Sequence, residues 1–72
     1  MVPLMRRTKA QMVTNWNDNY AVGQKVRVKR DSGDLLVTTT ASEAELLGGH
    51  TPVIWLDGIS GCYALDRVTP IN

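Results

Sequence analysis

The chain has no phenylalanine, a single cysteine and a single histidine among its 72 residues. One cysteine excludes an internal disulfide, and one cysteine with one histidine leaves too few such ligands for a zinc site within one protomer. No apolar run approaches the ~20 residues of a membrane span, and the basic N-terminus lacks the apolar stretch of a secretory signal. We therefore expect a protein of the reducing cytoplasm, with no cofactor, no metal and no membrane contact.

Aromatic residues are also scarce, with four in the whole chain: Trp16, Tyr20, Trp55 and Tyr63. The core must therefore depend mainly on Val, Ile and Leu, each of which contributes about 1.5–3 kcal/mol when it is fully buried. A chain of this length is near the lower limit for a single apolar core. It forms one domain, and homo-oligomerisation would be a natural way to gain stability.

Charge is distributed unevenly along the chain. Residues 1–30 contain seven basic residues against one acid, whereas residues 31–72 contain one basic residue against six acids. Such a division predicts a basic surface that can contact phosphate or an acidic partner, or self-association between unlike ends.

The first 15 residues (MVPLMRRTKAQMVTN) differ in character from the rest, since Pro3 and the β-branched residues disfavour a strong helix. We predict a flexible basic arm over residues 1–15 and a compact domain over residues 16–72.

Strand signals begin in the basic part of the domain. Val26 and Val28 alternate with Lys25, Arg27 and Lys29, which is the period of a half-buried strand. Turn-forming residues follow at positions 31–34, and the β-branched run LLVTTT at 35–40 then predicts a second strand.

The next segment has the pattern of a helix start. Ser42 and Glu45 have the spacing of a capping box, and two glycines at 48 and 49 can end a short helix. We predict one or two helical turns between strands.

A β-hairpin is the sharpest local prediction. The run TPVIWL at 51–56 predicts a third strand, and Asp57-Gly58 after it predicts a two-residue type I′ turn. That turn pairs Leu56 with Ile59, Trp55 with Ser60 and Val53 with Cys62. It places Ile54, Leu56, Ile59 and Tyr63 on one face of the hairpin, and Val53, Trp55 and Cys62 on the other. Since both faces are apolar, the second is covered by the N-terminal segment or serves as an interface.

These elements, with a turn at 64–67 and a last strand at 68–71, predict an all-β fold. We expect a small five-stranded SH3-like barrel with one short helical turn and a flexible N-terminal arm. An OB-type barrel is less favoured, because that fold normally needs a longer chain.

The runs WNDNYAVGQKVRV, SEAELLGGHTPV and GISGCYALDRV resemble a group of small uncharacterised proteins encoded by phages, prophages and plasmids. The resemblance covers roughly residues 16–69 and implies a mobile-element origin without an established activity. The plan is also similar, in architecture alone, to the plasmid-borne type II dihydrofolate reductases, which are tetramers of small SH3-like chains. That family has a Val-Gln-Ile-Tyr motif where this chain has Gly-Cys-Tyr-Ala at 61–64, so only Tyr63 matches.

Two functional hypotheses follow, and neither is enzymatic. The first is contact with nucleic acid or an acidic protein through the strand and arm cations: Lys25, Arg27, Lys29, Arg30, Arg6, Arg7 and Lys9. The second is protein interaction or homo-oligomerisation through Val53, Trp55 and Cys62. A solvated strand face that discourages edge pairing explains the same basic pattern. Catalysis by Cys62 with His50 lacks a third residue to orient the imidazole, and we predict no enzyme activity.

Overall fold

A computed structural model describes residues 8–71 of the chain. Within that part the chain forms one α-helix, six strands and one 3-10 helix. In chain order these are α1 (Lys9–Asn19), β1 (Lys25–Lys29), β2 (Leu35–Thr39), β3 (Glu45–Leu47), β4 (Thr51–Trp55), β5 (Cys62–Ala64), the 3-10 helix (Leu65–Arg67) and β6 (Val68–Pro70). The mainly β character predicted from the sequence is confirmed.

The first sheet has the antiparallel order β2-β1-β6, with β1 in the centre. Val26 and Val28 are fully buried while their neighbours along the strand are exposed, so the predicted alternation is confirmed. The loop 30–34 closes the β1–β2 hairpin, because Arg30 N–H donates to the Asp34 carbonyl at 2.9 Å. Gly33 supplies a φ of +93° in this loop, a value that L side chains rarely adopt.

The second sheet has the antiparallel order β3-β4-β5. It meets the first sheet at an isolated bridge between Thr40 and Leu56, with a further hydrogen bond from Ala41 N–H to the Trp55 carbonyl. Both sheets contribute to one core, whose buried residues are Trp16, Val26, Val28, Ala44, Ile54, Leu56, Leu65 and Val68. Two three-stranded sheets joined in this way do not form a closed barrel over residues 8–71, and the five-stranded SH3-like barrel is not confirmed.

A helix crosses the boundary predicted between the arm and the domain. Thr8 and Gln11 form a reciprocal capping box at its start, since Gln11 N–H donates to Thr8 Oγ1 and Thr8 N–H donates to Gln11 Oε1. Two orphan backbone donors are thereby satisfied, which offsets the weak propensity of this segment. The helix contradicts the predicted flexible arm over residues 9–15, while residues 1–7 of that arm lie outside the described part.

The capping box predicted at Ser42 and Glu45 does not form. Glu45 begins β3, and the Ser42 hydroxyl donates to the Glu43 carbonyl and accepts from Trp55 N–H. The Ala44 N–H, which a helix would leave unpaired, donates to Asn17 Oδ1 at 2.8 Å. Contacts from α1 and β4 therefore hold this segment extended.

The hairpin register differs from the prediction by two residues. Trp55 pairs with Cys62, Ile54 with Tyr63 and Val53 with Ala64. Gly58 has a φ of +78° but no non-glycine residue in the described chain has a positive φ, so the Asp57-Gly58 turn has the sign pattern of type II. Type II turns splay the flanking strands, and the ladder accordingly starts at Trp55 and Cys62.

The type I′ pattern occurs instead between β3 and β4. Gly48 and Gly49 have φ values of +61° and +78°, and His50 N–H donates to the Leu47 carbonyl at 3.1 Å. These glycines join two strands, where we expected them to end a helix.

The two-residue shift in the β4–β5 hairpin keeps every side chain on its predicted face, because side chains alternate with a period of two.

Candidate nucleic-acid interface

Three cations form a line on the solvent side of the central strand of the first sheet. Lys25, Arg27 and Lys29 are exposed, and we call them the basic row. Residues two apart on a strand are about 6.6 Å apart along its axis, so the row extends for about 13 Å. The buried Val26 and Val28 side chains point the other way into the core and fix this orientation. The prediction that these three cations lie on one exposed face is confirmed.

Among residues 8–71, no acidic side chain forms a direct ion pair with the basic row. Across residues 8–71 the structure has a single ion pair, between Arg67 Nη1 and Asp31 Oδ1 at 2.6 Å. Its side chains are 46% and 89% exposed, so it contributes only about 0–1 kcal/mol to stability. The pair does, however, engage Arg67, which is the one basic residue of residues 31–72. It leaves the basic row available to an external anion.

The start of the basic strand is held in place by a buried hydroxyl that the sequence analysis missed. Thr40 is 2% exposed, and its Oγ1 accepts from the N–H groups of Gly23 and Gln24 at 3.0 and 3.1 Å. The Gln24 side-chain amide in turn donates to the carbonyl of Ile71 beyond β6 at 3.0 Å. These bonds anchor the chain between β2 and β6 immediately before Lys25. The threonine run at 38–40 marks a strand but does not distinguish the buried member.

The strand beside the basic row contributes apolar side chains to the same face. In the β1–β2 register Arg27 is opposite Val37 and Lys29 is opposite Leu35. Leu35 is 62% exposed and Val37 is 52% exposed, and we call these two residues the apolar row. Sequence reasoning missed the apolar row because LLVTTT has no polar–apolar alternation to show which side faces solvent.

Shallow depressions adjoin the end of the basic row. One of about 280 Å³ is lined by Arg27, Lys29, Leu35, Asp66, Arg67 and Thr69. A second of about 390 Å³ involves Lys29, Arg30 and Gly33, together with the ion pair of Arg67 and Asp31. Asp66 lines both and Asp31 lines the second, so this end carries two acids among several cations. Open, mixed-charge depressions of this kind suit an extended polar backbone better than an enclosed small molecule.

The remaining predicted contact cations lie in different places. Arg30 is exposed at the start of the hairpin loop, next to the basic row. Lys9 lies in the first turn of α1 and lines a separate groove of about 240 Å³ with Met12, His50 and Pro52. Arg6 and Arg7 lie outside the described residues. The structure thus groups Arg30 with the basic row and sets Lys9 on another element.

The predicted protein interface offers less surface than expected. Val53 is 3% exposed and cannot contribute appreciable contact area, whereas Trp55 and Cys62 are half-buried. Pairing places Glu45 and Ala64 on either side of Val53, so its cross-strand neighbours lie on the same face. Of the three residues only Trp55 and Cys62 present part of their surface to a partner.

The structure places His50 in a groove beside α1 whose lining does not include Cys62. No cluster of three or more His, Cys, Asp or Glu residues in the described chain is placed to hold a metal ion. No helix between residues 8 and 71 combines the length and apolar character needed to cross a bilayer.

Asn17 is a second residue that sequence analysis missed. Its Nδ2 donates to the Ala44 carbonyl at 3.0 Å, and its Oδ1 accepts from Ala44 N–H at 2.8 Å. The side chain thereby attaches α1 to the segment before β3, and Trp16 enters the core next to it. Asn17 lies in a run of turn-forming residues (NDN), where its local pattern suggests only a turn.

Searches of protein families, of curated proteins and of solved structures found no match for this chain. Its function is therefore inferred from the residues and their arrangement.

Proposed function

We propose that this protein is a non-enzymatic binding module that contacts nucleic acid through the basic row and Arg30. The observation that supports the proposal is the line of exposed cations on one strand, none of which is ion-paired to a described carboxylate. A small binding or adaptor role is also compatible with the mobile-element origin that the sequence resemblance implies.

Phosphate binding requires only positioned positive charge, which is what the basic row offers. Each lysine or arginine that neutralises a phosphate releases condensed counterions, and this entropy supplies most of the non-specific affinity for nucleic acid. The strand geometry adds positional order, because β1 is held on both sides by β2 and β6. A rigid row loses less conformational freedom on binding than cations on a loop would lose.

The strand connections support an SH3-like origin for the scaffold. The strands of the first sheet are ordered β6-β1-β2. A bridge just beyond β2 joins this sheet to the end of β4, and β4 pairs in turn with β5. A 3-10 helix precedes the last strand, β6. We propose that the two sheets correspond to the halves of an SH3-like arrangement, opened between β5 and β6 and extended by β3 and α1.

A salt titration tests the proposed binding. Fluorescence anisotropy of a labelled oligothymidylate should give an affinity that falls with ionic strength, with a log–log slope of about −3 if four cations each contact a phosphate. Arg27→Glu, at the centre of the basic row, should weaken binding by about tenfold, since it removes one contact and introduces a repulsive charge.

Lys9→Glu is the matched control, because it changes the net charge by the same amount on another element. It should weaken binding much less than Arg27→Glu does. Equal losses from both variants would mean that net charge alone attracts the probe, and the assignment of the basic row would then be wrong. A salt-independent signal, or binding only to an acidic protein, would refute the proposal as a whole.

A further inference from the structure

The apolar row is unusual for a solvated surface. Among the described residues only four large hydrophobic side chains are at least half exposed: Val22, Leu35, Val37 and Leu47. Leu35 and Val37 are two residues apart on β2, so they share one face. That face is the one that displays the basic row, because each is directly opposite a cation of β1.

The two rows run side by side along the sheet. Directly opposed residues of antiparallel strands have Cβ atoms about 4.5–5.5 Å apart. An extended polymer lying along β1 would therefore contact Arg27 and Lys29 along one edge. The part of the polymer beside that edge would lie over Leu35 and Val37. A ligand that complements this face must alternate charge and apolar surface across its width.

Single-stranded nucleic acid has that composition, whereas a duplex does not. In a duplex the base faces are stacked and hidden, and a flat sheet would meet phosphates and sugars. An unpaired strand exposes base faces beside its phosphates. These faces stack best on aromatic rings and arginine planes, and they also bury apolar area against aliphatic side chains. We propose that the basic row and the apolar row together form a binding site for single-stranded nucleic acid. The proposal deepens the function proposed above and depends on it.

The aromatic residues limit how sequence-selective this site is. Trp16 lies in the core, and Trp55 and Tyr63 belong to the second sheet. None of these three is on the exposed face of the first sheet, and Tyr20 follows α1 and packs against Trp16 with ring centroids 4.5 Å apart. Bases therefore pack on aliphatic side chains, which distinguish poorly among the four bases.

The test compares single-stranded and duplex probes of equal length, about 12 nucleotides, at one salt concentration. Val37→Thr keeps the shape and strand propensity of the side chain but makes it polar, and Leu35→Gln removes most of the other apolar contact. The double variant should bind oligothymidylate about fivefold more weakly and change duplex affinity by less than about twofold. Leu47→Gln, with the same chemistry at a 50% exposed position of the second sheet, should change neither affinity.

A variant that is expected to bind more tightly provides a second test, whose result does not depend on a loss of affinity. Val37→Tyr introduces a ring with high strand propensity beside Arg27, and it should tighten single-strand binding by at least about fivefold without tightening duplex binding. Circular dichroism of each variant reports whether the fold is retained.

The outcomes separate this inference from the proposed function. If Arg27→Glu weakens both probes but the variants of the apolar row change neither, phosphate binding stands and the single-strand site is overturned. Equal effects on the two probes also overturn it. If wild-type protein sediments as an oligomer that Val37→Thr dissociates, a second copy covers the apolar row and the inference is wrong.

Discussion

Asn17 attaches the N-terminal helix to the β-sheets, and replacing it with alanine tests whether α1 is an integral part of the fold. The amide exchanges two hydrogen bonds with the backbone of Ala44, which is 4% exposed. In Asn17→Ala both backbone groups of Ala44 lose their side-chain partner.

The expected loss follows from the burial of those backbone groups. An unsatisfied buried donor or acceptor costs about 1–3 kcal/mol, and Asn17 itself is only half-buried, so water relieves part of the cost. The total is about 2–3 kcal/mol, against about 4–10 kcal/mol for the stability of a domain this size. The corresponding fall in Tm is about 10–20 °C.

Thermal unfolding followed by circular dichroism measures this change, and Asn15→Ala is the matched control. Asn15 lies on the same helix and is exposed, so both variants gain the same helix propensity while only one loses the bonds to Ala44. If Asn17→Ala unfolds at the same temperature as Asn15→Ala, the helix does not stabilise the sheets through this amide. The assignment of α1 to the folded domain would then be wrong.

Three further variants test other features of the fold by denaturant unfolding. Thr40→Val removes the Oγ1 acceptor, but Gly23 N–H keeps the carbonyl of residue 40 at 2.9 Å and Gln24 N–H keeps the Ala21 carbonyl at 3.1 Å. The variant should therefore cost about 0.5–1.5 kcal/mol, and an unchanged midpoint would mean that the hydroxyl does not anchor β1. Gly48→Ala should cost about 1 kcal/mol through its φ of +61° alone, because nothing lies within 4 Å of the added Cβ; an unchanged midpoint would contradict the type I′ turn. Arg67→Ala breaks the exposed pair with Asp31 and should cost less than about 1 kcal/mol, with the difference vanishing at high salt; a larger, salt-independent loss would show that Arg67 has another structural role.

Local pattern predicted the elements whose side chains alternate clearly. The basic row and the buried Val26 and Val28 follow from a period of two, and the turn at 31–34 follows from its residue types. The same kind of evidence failed at Ser42 and Glu45, because a capping-box pattern is compatible with both a helix start and an extended segment. Asn17 decides between them there, and it is 27 residues away in the chain.

The N-terminal boundary and the β4–β5 hairpin are two other places where local pattern was not sufficient. Thr8 and Gln11 have the capping-box spacing that starts α1, but Pro3 and the β-branched residues obscured it. At Asp57 and Gly58 the turn residues are compatible with several turn types, and the register was therefore displaced by two positions. The side chains nevertheless lie on the faces predicted for them, because a shift of two positions does not change their alternation.

The amino-acid order alone determined that Lys25, Arg27 and Lys29 face solvent, since burying the valines between them leaves the cations no other direction. Tertiary structure alone decided what lies next to those cations. Leu35 and Val37 become their neighbours through pairing between strands, and LLVTTT is apolar or β-branched on both of its sides. Side-chain alternation is a property of consecutive residues, whereas strand pairing and the docking of α1 depend on contacts between distant parts of the chain.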